Sequence, residues 1–172
     1  MIRAFATIVL GVAVLGSGDP VTATGDRSVT AREWYEQARE LTRTKQRQQA
    51  ADAFDRSVAL DPERALAWAN RGTNLLNMGR YEAALESYER ALALDAENPY
   101  IYCSQATVYN RTAQPDRALA SSREAIAVDP DHIGALLNME TALRKLGRDD
   151  EADSVLERAF ELKPELRPND RD

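Results

Sequence analysis

The sequence predicts an all-α chain, an α-solenoid of four helix-turn-helix units, on three observations. Large side chains recur every 34 residues: Trp34, Trp68, Tyr102 and Leu136 at one phase, Leu41, Leu75, Tyr109 and Leu143 at another. Small ones recur at the same interval, as Ala50, Ala84, Ala118 and Ala152, and again as Ser57, Ala91, Ala125 and Ala159. Each unit closes near Pro62, Ala96, Pro130 or Pro164. A fixed period of this length belongs to stacked supersecondary units, each too small to bury its own apolar faces, and not to a single enzyme core.

The punctuation places the elements in order. Thr30 followed by Glu33 forms a capping box for the first helix, hydroxyl and carboxylate each accepting an otherwise orphaned N–H. Units then span 31–64, 65–98, 99–132 and 133–166 without insertion, starting at Ala31, Ala65, Pro99 and Ile133. Gly79 and Gly147 stand where a first helix must turn, in a left-handed conformation that needs no Cβ. Pro115 suits the first turn of a second helix. Asp61-Pro62, Asp129-Pro130 and Lys163-Pro164 end second helices, because proline disfavours a helical residue before it. Eight helices of about a dozen residues follow. Gly72 and Ala106 on first helices face Ala84 and Ala118 on second ones, so the rods cross closely while Trp68, Tyr88 and Tyr102 fill the space beside them.

The order large, small, large, small, large, small, breaker resembles the tetratricopeptide repeat family. Unit two carries it best, in Trp68, Gly72, Leu75, Gly79, Tyr81, Ala84, Tyr88 and Ala91; the end units depart from it at Gln37, Ser57 and Glu140. The resemblance covers residues 31–166 of 172 and implies a right-handed α-solenoid whose first helices line a concave groove for peptides or partner helices. Carried over by position, that groove would display Tyr35, Arg39 and Arg43 from unit one and Asn70, Thr73 and Asn77 from unit two. Unit three would add Tyr100, Ser104, Thr107 and Arg111, and unit four Asn138, Thr141, Arg144 and Lys145. With Arg32, six basic residues face one acidic residue, Glu36, which points to a protein or peptide ligand carrying carboxylates or a free C-terminus. Asn70, Ser104 and Asn138 recur at one groove position, and asparagines there hydrogen-bond bound peptide backbone in related proteins. The resemblance stops short of the co-chaperones that clamp a terminal carboxylate: of that clamp only Asn70 is matched, so chaperone tails are disfavoured.

The remaining features bound the function. A net charge of -6 lacks the basic stripe that displaces phosphate counterions, so no nucleic acid is expected. One Cys and one His make no zinc site, and no phosphate loop, nucleophile elbow or catalytic pair is present, so neither cofactor nor enzyme activity is expected. Cys103 reads as a small hydrophobe at the groove, with a redox handle as the alternative, and His132 as a loop residue. Arg3 followed by the apolar run Ala4 to Leu15 and by Val21-Thr22-Ala23 reads as a signal peptide over 1–23, then a lead-in over 24–30. The run is too short to span a bilayer, which needs roughly 20 residues. The expectation is therefore an exported adaptor, periplasmic or extracellular, with no membrane span in the mature chain. The alternative is a structural subunit of an envelope or secretion assembly, acting through its convex face or its last repeat. There Leu156 and Phe160 are expected to stand exposed and to support weak homo-oligomers, with a tail over 167–172.

Overall fold

The computed structural model describes residues 29–168; the expected signal peptide, all of the lead-in before Val29 and the last four residues lie outside them. Eight helices follow one another: α1 (Ala31–Arg43), α2 (Arg47–Leu60), α3 (Ala65–Asn77), α4 (Tyr81–Leu94), α5 (Pro99–Arg111), α6 (Pro115–Val128), α7 (Ile133–Lys145) and α8 (Asp149–Leu162). A single 3-10 turn, Pro164–Leu166, closes the described chain, which contains no strand. Each odd helix packs on the even helix after it, and each even helix on the next odd one, so the molecule is the all-α solenoid that the 34-residue period predicts.

The capping box at Thr30 is present: Glu33 N–H donates to the Thr30 hydroxyl, and Thr30 N–H to the Glu33 carboxylate at 2.9 Å. Every odd helix ends in the same left-handed turn. Gly79 and Gly147 take φ of 74° and 72°, as expected, but Lys45 and Ala113 occupy the matching positions at 62° and 54°. The following N–H reaches back to the carbonyl five residues earlier, Gln46 to Leu41 at 2.8 Å and Gln114 to Tyr109 at 2.9 Å. That closure satisfies carbonyls the helix would otherwise orphan, and two units hold it with a strained residue in place of glycine.

The small positions are sealed: Ala50, Ala84, Ala118, Ala152, Ala91, Ala125 and Ala159 are all fully buried. Gly72 shows why. A Cβ there would lie 2.6 Å from Tyr88 Cε1 and 2.8 Å from Cδ1, so the ring of α4 rests on the bare backbone of α3. Trp68 is half-buried and joins the cores of units one and two, its indole N–H donating to the Pro62 carbonyl at 2.8 Å.

The two ends of the array differ chemically from its interior. Ala67, Ile101 and Ala135 are buried against the preceding unit, and so are Asn74, Val108 and Ala142 one stripe further on. The same positions in unit one are Glu33 and Glu40, both exposed. At the other end, Asp153 is exposed where Ala51 and Leu119 are buried. The expectation of an uncapped last repeat is corrected here. Leu156 and Phe160 are half-buried, the 3-10 turn folds back on α8, and the Arg167 guanidinium lies 4.9 Å above the Phe160 ring while pairing with Glu157 at 2.7 Å.

A candidate peptide groove on the first helices

Residues four, seven and eleven apart return to nearly one face of a helix, so each odd helix carries a stripe along its free side. On α3 it reads Leu66, Asn70, Thr73, Asn77; on α5, Tyr100, Ser104, Thr107, Arg111; on α7, Gly134, Asn138, Thr141, Lys145. Two connected depressions open along these stripes. One, of about 490 Å³, lies between α1 and α3 and is lined by Glu36, Arg39, Glu40, Thr42, Arg43, Phe54, Asn70, Thr73 and Asn74. The second, of about 220 Å³, lies between α3 and α5, and no charged side chain lines it. It shares Asn70 and Thr73 with the first and adds Leu66, Ala69, Tyr88, Asn98, Tyr100, Ile101 and Ser104.

Most sequence-predicted groove residues fall on this face, but several do something else there. Tyr35 is only 3% exposed and belongs to the core of unit one: its ring meets Phe54 edge-on at 6.2 Å, Arg64 covers it at 4.4 Å, and its hydroxyl accepts from Asn70 Nδ2 at 2.7 Å. Asn138 reaches back in the same way, donating to the Cys103 carbonyl at 3.1 Å and to the Thr107 hydroxyl at 3.0 Å. The Asn138 amide and one of the two Asn70 N–H donors thus tie one unit to its predecessor. Ser104 at that position donates to the Tyr100 carbonyl of its own helix at 2.8 Å and meets unit two only through the Tyr88 hydroxyl. Thr73, Thr107 and Thr141 likewise bond carbonyls one turn back on their own helices. Asn110, at the phase of Arg144, is buried, and its amide donates to the Asn138 carbonyl at 2.9 Å. In units two and three that phase is buried between units, at Leu76 and Asn110, while Thr42 of unit one lines the first depression.

The charge count changes most. Arg39 pairs with Glu36 at 3.1 Å and Arg43 with Glu40 at 2.6 Å. Arg144 turns away to α8, held by Glu140 at 2.5 Å, Asp153 at 2.7 Å and Asp149 at 3.7 Å. Its guanidinium is held above the usual range by the hydrogen bonds it donates to Asp153 and then Glu140. The Glu40 carboxyl is correspondingly held below the ordinary carboxylate value by its hydrogen bond from Arg43. Arg32, Arg111 and Lys145 make no ion pair with a described residue; Lys145 Nζ donates to the Asn110 carbonyl, next to Arg111. The groove therefore has its N-terminal cations paired except for Arg32, carries no charge in the middle, and keeps unpaired cations together only at Arg111 and Lys145.

His132 and Cys103 sit together beside it. His132 lies in the loop before α7, as expected, and caps that helix, its Nδ1 accepting from Ala135 N–H at 3.1 Å; Tyr100 meets its ring edge-on at 4.9 Å. Cys103 is half-buried, and burial raises its thiol above the ordinary value while a hydrogen bond from Asn138 opposes that more weakly. Such a thiol holds little thiolate, which is the form redox chemistry needs. Among the described residues no cluster of three metal-ligating side chains exists, and no helix is long and apolar enough to cross a membrane.

Residues 65–98 match one tetratricopeptide repeat model, with the limits of unit two, and residues 135–170 match a second tetratricopeptide repeat model. No curated protein matches the chain by sequence. Among solved structures, a crystal structure of MamA is 21% identical, with 79% of this chain and 80% of that one aligned at a TM-score of 0.75. MamA 41-end from Desulfovibrio magneticus RS-1 is 20% identical, over 80% of this chain and 78% of that one, at a TM-score of 0.73. At such identities the likeness is one of fold.

Proposed function

Since the chain belongs to the tetratricopeptide repeat family, whose arrays serve as protein-interaction scaffolds, we propose that it is an exported adaptor that binds a protein or peptide segment along its first helices. The observation that carries this is the pair of neighbouring depressions over α1, α3 and α5, which share Asn70 and Thr73 as lining and whose rim leaves Leu66 and Tyr100 in water. Export rests on the N-terminal sequence alone, and acidic ligand character on Arg111 and Lys145, not on the six cations that the helical phase suggests. The array supplies shape and hydrogen-bonding surface, with no group placed for bond-making chemistry.

The test is charge reversal at Arg111 and Lys145 combined with Tyr100→Ala, reading partner capture from the exported fraction and helicity by circular dichroism. Lost capture with full helicity supports the groove. Unchanged capture moves the function to other surfaces, and one observation favours a particular one. Leu60, Leu94, Val128 and Leu162, one per unit, end the second helices as a row of exposed apolar side chains, suited to assembly with a neighbouring subunit. Weak self-association through this row or the last unit would appear as a rising sedimentation coefficient with concentration.

A further inference from the structure

Resting on the groove reading, we propose that the ligand is a linear peptide held at two points along α5: a large apolar side chain in the uncharged cavity between Leu66 and Tyr100, and a carboxylate on Arg111. Tyr100 is 71% exposed and Leu66 51%, unusual for large apolar side chains that flank a depression. The cavity they border has an aromatic and aliphatic lining, with Tyr88 and Ile101 in its wall and hydroxyls and amides around it. An acidic or basic side chain entering there would lose water without gaining a countercharge, whereas an apolar one loses nothing.

Asn70 ties unit two to unit one and Asn138 ties unit four to unit three, whereas the matching Ser104 of unit three bonds its own helix and the Tyr88 hydroxyl in the cavity wall, so short hydroxyls and no charge line the floor of this cavity.

The second point follows from helical geometry. Eleven residues of α-helix return to within about 20° of the same face and advance roughly 16 Å, so Arg111 lies on the stripe of Tyr100 at the far end of α5. Roughly five residues of extended peptide cover that distance. Arg111 makes no ion pair with a described residue, and Lys145 Nζ stands on the adjoining carbonyl, so a carboxylate there meets two cations with no competing acid among the salt bridges of the described chain. The N-terminal depression offers no such site, since Arg39 and Arg43 are already paired.

The experiment pans a random dodecapeptide phage library on the purified chain and measures selected synthetic peptides by fluorescence anisotropy. The expected families share one large apolar residue and one Asp or Glu about four to six positions away. Tyr100→Ala weakens such a peptide at least tenfold, and Arg111→Glu does the same. Replacing the peptide's acid by its amide removes the effect of Arg111→Glu, which a merely structural disturbance would not do. Peptides that bind with no acid, or whose affinity ignores Tyr100, overturn the two-point proposal. If those peptides are displaced by Thr73→Trp, the groove reading survives it; if no peptide is enriched, or Thr73→Trp leaves binding intact, both readings fall.

Discussion

Gly72→Ala puts the close approach of α3 and α4 to a direct test, because two opposing effects have to be weighed. Alanine in a helix interior is worth about 1 kcal/mol over glycine, so on helix propensity alone the variant gains stability. Against that, the new Cβ would start 2.6 Å from Tyr88 Cε1, 2.8 Å from Cδ1 and 3.1 Å from Cζ. Ordinary contact needs the ring to retreat by almost 1 Å, and Tyr88 is only 1% exposed, with its hydroxyl on Thr73 at 3.3 Å. Forcing an extra methyl into a filled core costs about 1–3 kcal/mol, and a shift of this size in a ring belongs in the upper half of that range. The net expectation is a loss of about 1–2 kcal/mol, read as a fall of several degrees in the thermal midpoint by circular dichroism and a lower urea midpoint at unchanged slope. A melting temperature equal to or above that of the parent would refute the reasoning. The sign should also depend on the ring: in a Tyr88→Val background, with no atom beyond Cγ, Gly72→Ala should become stabilising, a coupling measurable as a double-mutant cycle.

Other expectations concern turns, the thiol and acid. Ala113→Gly relieves a left-handed alanine at φ 54° and should stabilise by about 0.5–1 kcal/mol, whereas Gly147→Ala at φ 72° should cost about 1 kcal/mol, both read by urea unfolding. His132→Ala removes the α7 cap and should cost about 1 kcal/mol in the same assay, with His132→Asn restoring most of it. Cys103, its thiol raised by burial, should react with iodoacetamide at neutral pH several-fold more slowly than in denaturant; equal rates would contradict the burial. Glu40 and Glu151 are held below the ordinary carboxylate value of 4.5 by hydrogen bonds from Arg43 and Arg148. Their contribution is present above that value and declines as pH falls through the lowered ones, so the thermal midpoint should drop below pH 4.5 and less so in high salt, where exposed pairs are already screened.

The architecture was readable because it rests on repetition. The 34-residue interval, the prolines after Asp61 and Asp129, and Gly79 and Gly147 each state a local backbone requirement, and four copies make that requirement visible over noise. The turn at Lys45 and Ala113 was not readable, since nothing about those residues favours a positive φ; the closing hydrogen bonds impose it. The site was read only in outline. A helical wheel assigns a face to a Cα, but Arg side chains are long enough to leave that face, so Arg43 and Arg144 found carboxylates that a count by phase omits, and Arg39 took the one it included. Tyr35 was misplaced for a related reason: in unit one the large residue of that phase turns inward under Arg64, where later units carry the smaller Ala69 and Cys103. Asn70 and Asn138 carried a weak signal, an asparagine at the same phase two repeats apart, that fits cross-unit fastening as well as ligand contact.

The carboxylates at the two outer faces bear on how such a chain can grow. Glu33 and Glu40 occupy sites that are apolar or amide-bearing and sealed in every later unit, and Asp153 does so at the opposite limit. Docking a further copy onto either limit would take the Glu40–Arg43 and Arg144–Asp153 pairs out of water, whereas a duplicate of unit two or three spliced into the middle meets surfaces already suited to it. Lengthening by internal duplication is therefore tolerated and end-on addition resisted, because the charged pairs at the two outer faces oppose the loss of water.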